Sequence, residues 1–372
     1  MAKSKGGDGS KLAAAAASQV ADLRARLKRS EAANRKLRNG AGLLLEHITD
    51  VITSHPVEIH VPDRPEEQGT DLDELWPVVH FTDLQLGAVR PGNGDGENGY
   101  DTVIAQDRCR TMGERIRRII DIQKQGGHAI RRGTLCVGGD MVEGETIFPG
   151  QRWEIDSPVF DQACVVGPRI LVEMILCMLE VVDVLDVVCV PGNHGRPGHF
   201  KAGNHPRSNF DMVLYHTAKV LVESNPELAS RVNFRMAEEF FIVTRVFRWG
   251  VMMIHGDVIR SQLGTPIYGL RRNAKSWADL LETPDIAEPW DVMLTGHYHS
   301  CFQFDSGSKT IIQTGSPESN NRFALAYLAE GSYASQRLFF MHERRRIVSD
   351  HIIALESLVP AADRHKAWEG KF

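Results

Sequence analysis

The sequence predicts a layered α/β fold, and three observations carry that reading. Five short apolar runs, bounded by Gly or Pro, have the length and β-branched content of buried strands. Between them lie longer stretches whose apolar residues recur at helical spacing. Each of the five runs also ends in a side chain with a ligand atom. Layered α/β proteins gather ligands there, beyond the carboxyl ends of their strands.

Taken in order, residues 1–10 are mostly Gly, Ser and Lys, a composition of disorder. Residues 11–52 have a helical composition, and Val20, Leu23, Leu27, Ser30, Asn34, Leu37, Ala41 and Leu44 alternate by three and four, the seam of a short coiled coil. Three readings stay open for this 1–54 arm: a solvated helix, a homodimer through the seam, or a basic contact to nucleic-acid phosphates through Arg24, Arg26, Lys28, Arg29, Arg35, Lys36 and Arg38. Residues 55–75 hold Pro56, Pro62, Pro65 and many acids, and read as a linker. A catalytic body over 76–355 and a tail over 356–372 complete the expected organisation.

Within the body the first strand is Val78-Val-His-Phe-Thr-Asp83-Leu-Gln85, with His80 expected as a satisfied core histidine. Residues 87–99 contain five glycines and a proline, so they read as a mobile loop, a lid or substrate contact. A helix over 101–125 follows, capped by Gly126-Gly127, its Arg108, Arg110, Arg115, Arg117 and Arg118 face expected to be wet. The second strand ends Gly138-Gly-Asp140, and 158–182 is apolar nearly all round, a buried helix. The third strand runs into Gly192-Asn193-His194; a helix over 208–223 has Ser208 as its predicted N-cap. Residues 240–254 predict two strands joined near Arg248-Trp-Gly250, the second leading to His255-Gly-Asp257. The run 291–295 ends in Gly296-His297-Tyr-His299; on an extended segment the two imidazoles share a face, and Tyr298 points away. A hairpin across Ser306-Gly307 and further strands over 337–353 close the body.

The ordered set Asp-x-Gln, Gly-Gly-Asp, Gly-Asn-His, His-Gly-Asp and Gly-His-x-His, spanning 78–316, resembles the calcineurin-like metallophosphoesterases. It is closest in pattern to phage and prophage phosphoesterases grouped with SbcD-type DNA repair nucleases. The resemblance implies a four-layer α/β/β/α sandwich, the metallo-dependent phosphatase fold, with two divalent metal ions, Mn first and Fe or Zn as alternatives. It implies that Asp140 bridges them, that Asp83, Gln85 and His299 complete one site, and that Asn193, His255 and His297 complete the other. A bridging hydroxide would attack phosphorus, and His194 would protonate the leaving oxygen. Two departures stand out. Gln85 replaces the usual His, a weaker oxygen donor. Gly195 replaces an Asp that would orient His194, a role Asp257 could take. Arg196 is the expected phosphate-gripping residue, with Lys201 and Arg207 on the same loop.

The expected activity is phosphodiester hydrolysis, a DNA exo- or endonuclease. Alternatives are a phosphomonoesterase or a catalytically degenerate scaffold of the same fold. Only 73 residues follow His299, short for the DNA-capping region of a full repair nuclease. At 42% hydrophobic and 24% charged, the chain is neither disordered nor fibrous in composition. Its six cysteines form no Cys-x-x-Cys pair and read as reduced core residues of a cytoplasmic protein, with no membrane span expected. The formal charge of −5 conceals an asymmetry: residues 1–40 hold ten Lys/Arg against three Asp/Glu, a net of +7, which leaves −12 on the remainder.

Overall fold

The structure, a computed structural model, describes residues 46, 48–50, 52–54, 59–65, 73–90, 99–198, 205–260, 266–318 and 333–356. The chain separates into compact units at 1–51 and 52–372. The coiled-coil seam, the loop positions 91–98, Lys201 and most of the tail lie outside the described residues. The strands and helices that follow belong to the second unit.

Two sheets form its middle. The first comprises β1 (Leu75–Phe81), β2 (Arg132–Val137), β3 (Val184–Cys189) and β4 (Val232–Met236), all parallel, extended by antiparallel β10 (Ser335–His342) and β11 (Arg346–Ala354). The second has the order β5 (Phe241–Val246), β6 (Trp249–Ile254), β7 (Val292–Thr295), β9 (Lys309–Gln313), β8 (Phe302–Ser306), with β6, β7 and β9 parallel. The outer layers are α1 (Thr102–Gln125), α2 (Gly167–Leu179) and α3 (Phe210–Glu223) on the first sheet and α5 (Ile267–Leu281) on the second; short α4 (Pro226–Arg231) leads into β4.

Strand alternation explains the layering. Along β1, Leu75, Val79 and Phe81 pack against the helices, whereas Trp76 and Val78 face the other sheet beside Val251, Met253, Val292, Leu294 and Ile312. A strand buried on both faces is apolar throughout, as β1 nearly is. On the outer face of the second sheet, Met252, Met293 and Ile311 meet Leu270, Ala274 and Leu281 of α5. These are the four layers α/β/β/α expected above.

Helix ends follow local chemistry. Asp101 caps α1, its carboxylate accepting from Ile104 N at 2.7 Å, a contact worth about 1 kcal/mol. The cap of α3 is Asn209 rather than Ser208, because the Asn209 amide oxygen also accepts from Asp211 N. The apolar stretch expected as one helix begins as a π-helical segment, Asp161–Val166, before α2. Contrary to the sequence reading, Asp161–Leu179 is long and apolar enough to cross a membrane by composition, yet it is largely buried among the helices and first sheet.

The basic face of α1 is not simply wet. Arg108 is buried, lies over the Tyr100 ring and donates to Pro317 O; Arg115 donates to the backbone of Ala354; Arg110 and Arg117 pair with Glu173 and Glu180 of the α2 side. Those guanidiniums fasten α1 to the segment after β9, to the end of β11 and to α2.

Candidate metal centre

Every ligand-type side chain named above sits on a turn just past the carboxyl end of a strand. Asp83 and Gln85 follow β1, Asp140 follows β2, Asn193 and His194 follow β3, His255 follows β6, and His297 and His299 follow β7. Eight described non-glycine residues have positive φ, and five of them are Asp83, Gln85, Asp140, His297 and His299, at 49–71°. Side chains other than glycine avoid that region, so backbone strain is concentrated at this one place. The extended Gly-His-x-His picture is therefore corrected: His297 and His299 lie on a left-handed turn, not on alternating strand positions.

Two glycines let the turns close. A Cβ on Gly192 would stand 2.1 Å from Asp140 Oδ1, and one on Gly296 would stand 2.3 Å from Asp83 Oδ2. Each carboxylate rests on a neighbouring backbone that has no side chain.

The ligand-type groups fall into two sets that share Asp140. In one, His255 Nε2 lies 3.0 Å from Asp140 Oδ2 and 3.2 Å from Asn193 Oδ1, and the His255 and His297 rings are 5.2 Å apart. One ligand atom each from Asp140, His255 and His297 lie within 4.8 Å of one another, so these three can hold a metal ion. In the other set, Gln85 Nε2 is 3.4 Å from Asp140 Oδ2 and 3.5 Å from His299 Nε2, which is 3.4 Å from Asp83 Oδ1.

Three imidazoles are aimed the same way. His255 Nδ1 lies 2.9 Å from Gly138 O, His194 Nδ1 lies 3.1 Å from Glu143 O and 3.2 Å from its Oε2, and His299 Nδ1 lies 3.2 Å from Glu318 Oε2. Each Nδ1–H has an acceptor, which leaves Nε2 directed at the carboxylates. Asp83 is held by His297 N, which donates to both carboxylate oxygens at 3.0 Å.

The electrostatics favour cations here. Burial alone would lower the pKa of His255, but Asp140, with Asp83 and Asp257, outweighs it and pushes it up to about 10. Against the same burial, hydrogen bonds to Asp83 and Glu318 raise His299 to about 10, and Asp140 and Glu143 raise His194 to about 9. Burial and the neighbouring His255 lower His297 to about 4. Asp140 is driven well below the carboxylate range by His255 and His194 despite its burial. A field that holds protons on imidazoles suits divalent cations as well.

Several important residues escaped the sequence reading. Asp211, fully buried on the first turn of α3, accepts backbone N–H groups from Asp140 (2.9 Å), Met141 (3.0 Å), Val142 (3.2 Å) and Gly192 (2.8 Å). Burial and the repulsion of Asp140 push its pKa up to about 6. An acid on the apolar face of an amphipathic helix was the only signal available. Glu143, not Asp257, is the carboxylate at His194; Asp257 instead pairs with Arg196. Gly195 has a steric cause, since a Cβ there would meet Asn209 Oδ1 at 2.1 Å. Arg196 is nearly buried in that Asp257 pair rather than free, and Arg207 is exposed. His80 is buried as expected, but both its ring nitrogens lack partners among the described residues.

The donor set fits divalent ions. It offers carboxylates and imidazoles with Nε2 inward, and a half-turn of the Gln85 amide, whose Nε2 faces Asp140 and His299, would present its Oε1, an atom buried without a hydrogen-bond partner among the described residues. No known family profile matches the chain, and no curated protein matches its sequence. Among solved structures, a predicted phosphoesterase of Streptococcus pneumoniae is 12% identical, over 75% of this chain and 98% of its own, with a TM-score of 0.28. An archaeal phosphodiesterase is 10% identical over 75% of this chain and 99% of its own, with a TM-score of 0.33. A zinc complex of Vps29 from Entamoeba histolytica is 14% identical over 46% of this chain and 82% of its own, with a TM-score of 0.24.

Proposed function

We propose that this protein is a metal-dependent phosphodiesterase acting on nucleic acid, most simply a DNA nuclease. The observation that carries the proposal is the convergence of seven ligand-type side chains from five strand-end turns, divided into two sets by Asp140. Asp83, Gln85, Asp140 and His299 would hold one divalent ion; Asp140, Asn193, His255 and His297 would hold a second, manganese in preference to iron or zinc. Such ions supply Lewis-acid polarisation of a phosphoryl oxygen and a water acidic enough to attack near neutral pH.

The chain's own residues do the rest. His194 Nε2 faces the centre, 4.0 Å from Asp140 Oδ2, while Nδ1 lies 3.1 Å from the Glu143 backbone O and 3.2 Å from its carboxylate Oε2. The Glu143 carboxylate beside Nδ1 favours the protonated ring, which can give its proton to the departing ester oxygen as the P–O bond breaks. Arg196 would reach a phosphate by exchanging Asp257 for it. The basic arm supports nucleic acid as substrate. A cytoplasmic location belongs to the same proposal and is supported by six cysteines that are all free.

Turnover of bis-p-nitrophenyl phosphate and of its monoester, in Mn²⁺ and in EDTA, tests the reading. Diester hydrolysis that EDTA abolishes is expected, along with cleavage of linear, nicked or single-stranded DNA. A strong monoester preference would replace it with a phosphomonoesterase. No turnover with Mn²⁺, Fe²⁺ or Zn²⁺ would leave a binding protein of the same fold.

A further inference from the structure

Behind the ligands lies a buried ion network in which Arg90 is central. The residue is 9% exposed and pairs with Tyr100 in an antiparallel bridge at the neck of the glycine-rich segment. Its Nε lies 2.6 Å from Glu318 Oε1, and its Nη2 lies 3.4 Å from Glu143 Oε1; both carboxylates are fully buried. The other oxygen of each carboxylate faces an imidazole Nδ1 at 3.2 Å: Glu143 Oε2 faces His194, and Glu318 Oε2 faces His299. One guanidinium thus backs two carboxylate–imidazole pairs, one at His194 and one at His299.

Two buried carboxylates need a cation between them, because an unpaired buried charge is costly. Arginine suits the place. It stays charged, and its planar fork reaches two partners at fixed angles, which a lysine ammonium does not. Glu318 is placed by its neighbours as well: its N–H donates to Ser316 Oγ (2.9 Å), which donates to the backbone of Asp83 (2.7 Å).

We propose that Arg90 is a positioning residue for both halves of the site. By fixing Glu143 and Glu318 it aims His194 Nε2 at the leaving oxygen and His299 Nε2 at a divalent cation. The inference rests on the phosphodiesterase reading above.

The two branches have different signatures. Loss of the Glu318 branch weakens cation binding. Loss of the Glu143 branch matters only where the leaving group needs a proton, so it penalises alkoxide departure but not p-nitrophenolate departure. The test uses the full chain, with Mn²⁺ binding by calorimetry and kcat on a thymidine p-nitrophenyl phosphodiester and on thymidylyl-thymidine. Glu318→Gln should weaken Mn²⁺ binding by about 10–100-fold, as loss of a histidine's outer partner does elsewhere. Glu143→Gln should lower kcat for thymidylyl-thymidine by at least ~10-fold and hold the p-nitrophenyl rate within about threefold. Arg90→Gln should show both defects, and Arg90→Lys should rescue neither. If Arg90→Gln does not fold, Arg90→Lys, which keeps the buried charge but lacks the fork, carries the test and should show both defects. Wild-type Mn²⁺ affinity and an unchanged ratio of the two rates in Arg90→Gln, or in Arg90→Lys where the former does not fold, would overturn the inference while leaving the phosphodiesterase intact. A wild type without Mn²⁺ binding or turnover would remove the phosphodiesterase reading, and the inference with it.

Discussion

Asp211 holds two turns at once. Oδ2 accepts from Asp140 N and Gly192 N, and Oδ1 accepts from Met141 N and Val142 N, so the carboxylate ties the turn after β2 to the turn after β3. An asparagine has nearly the same shape but the wrong hydrogens. Whichever way its amide turns, the NH₂ group faces two backbone donors that are buried and cannot reach water. Leaving buried donors unmet costs about 1–3 kcal/mol each, so Asp211→Asn should lose roughly 3 kcal/mol in denaturant unfolding. It should weaken Mn²⁺ binding too, because Asp140 is the residue displaced. Unchanged stability and affinity would mean that the two turns hold their shape without this carboxylate.

At the scale of elements, the turns rely on backbone contacts that a side chain would block. Gly192→Ala would place a Cβ against Asp140 Oδ1, a clash that backbone cannot relieve cheaply. The expected result is at least ~10-fold weaker Mn²⁺ binding with far-UV circular dichroism unchanged, since the strands themselves do not depend on that position. Wild-type affinity in Gly192→Ala would show that the Asp140 turn is free to move. The strands were legible because each is a short apolar run with its ligand at the end, and α1 because Asp101 and Gly126 bracket it. The left-handed turns were not legible: φ at Asp83 or His299 is imposed by contacts from distant strands. Glu143 and Glu318 were missed for a similar reason. A carboxylate in sequence looks solvated until Arg90 and an imidazole are seen to enclose it. Segments 226–236 and 267–281 drew no expectation, yet they supply an edge strand and the outer layer of the second sheet.

For the whole molecule, charge is the decisive quantity. The body beyond residue 40 carries a formal −12 and would repel a polyanion over distances near the Debye length, about 8 Å at physiological salt. Divalent ions bound at the centre would reverse that sign locally. They do nothing for the neighbouring phosphates of a long strand. The +7 of residues 1–40 is a concentrated source of positive charge, so a nucleic-acid substrate should draw on it while a small diester should not. Replacing Arg24, Arg26, Lys28, Arg29, Arg35, Lys36 and Arg38 with Gln in the full chain separates the two demands. KM for DNA should rise severalfold at low salt and its dependence on salt should flatten, since fewer counterions are released on binding. Turnover of bis-p-nitrophenyl phosphate should stay at the wild-type value, because that substrate carries a single phosphate and no flanking ones for the arm to meet. Unchanged KM for DNA, with a dimer lost in sedimentation, would assign the arm to self-association through its seam. Unchanged KM and unchanged sedimentation would leave it a solvated helix, and the DNA reading would then need its positive surface from the second unit, where Arg207, Arg344 and Arg345 are exposed.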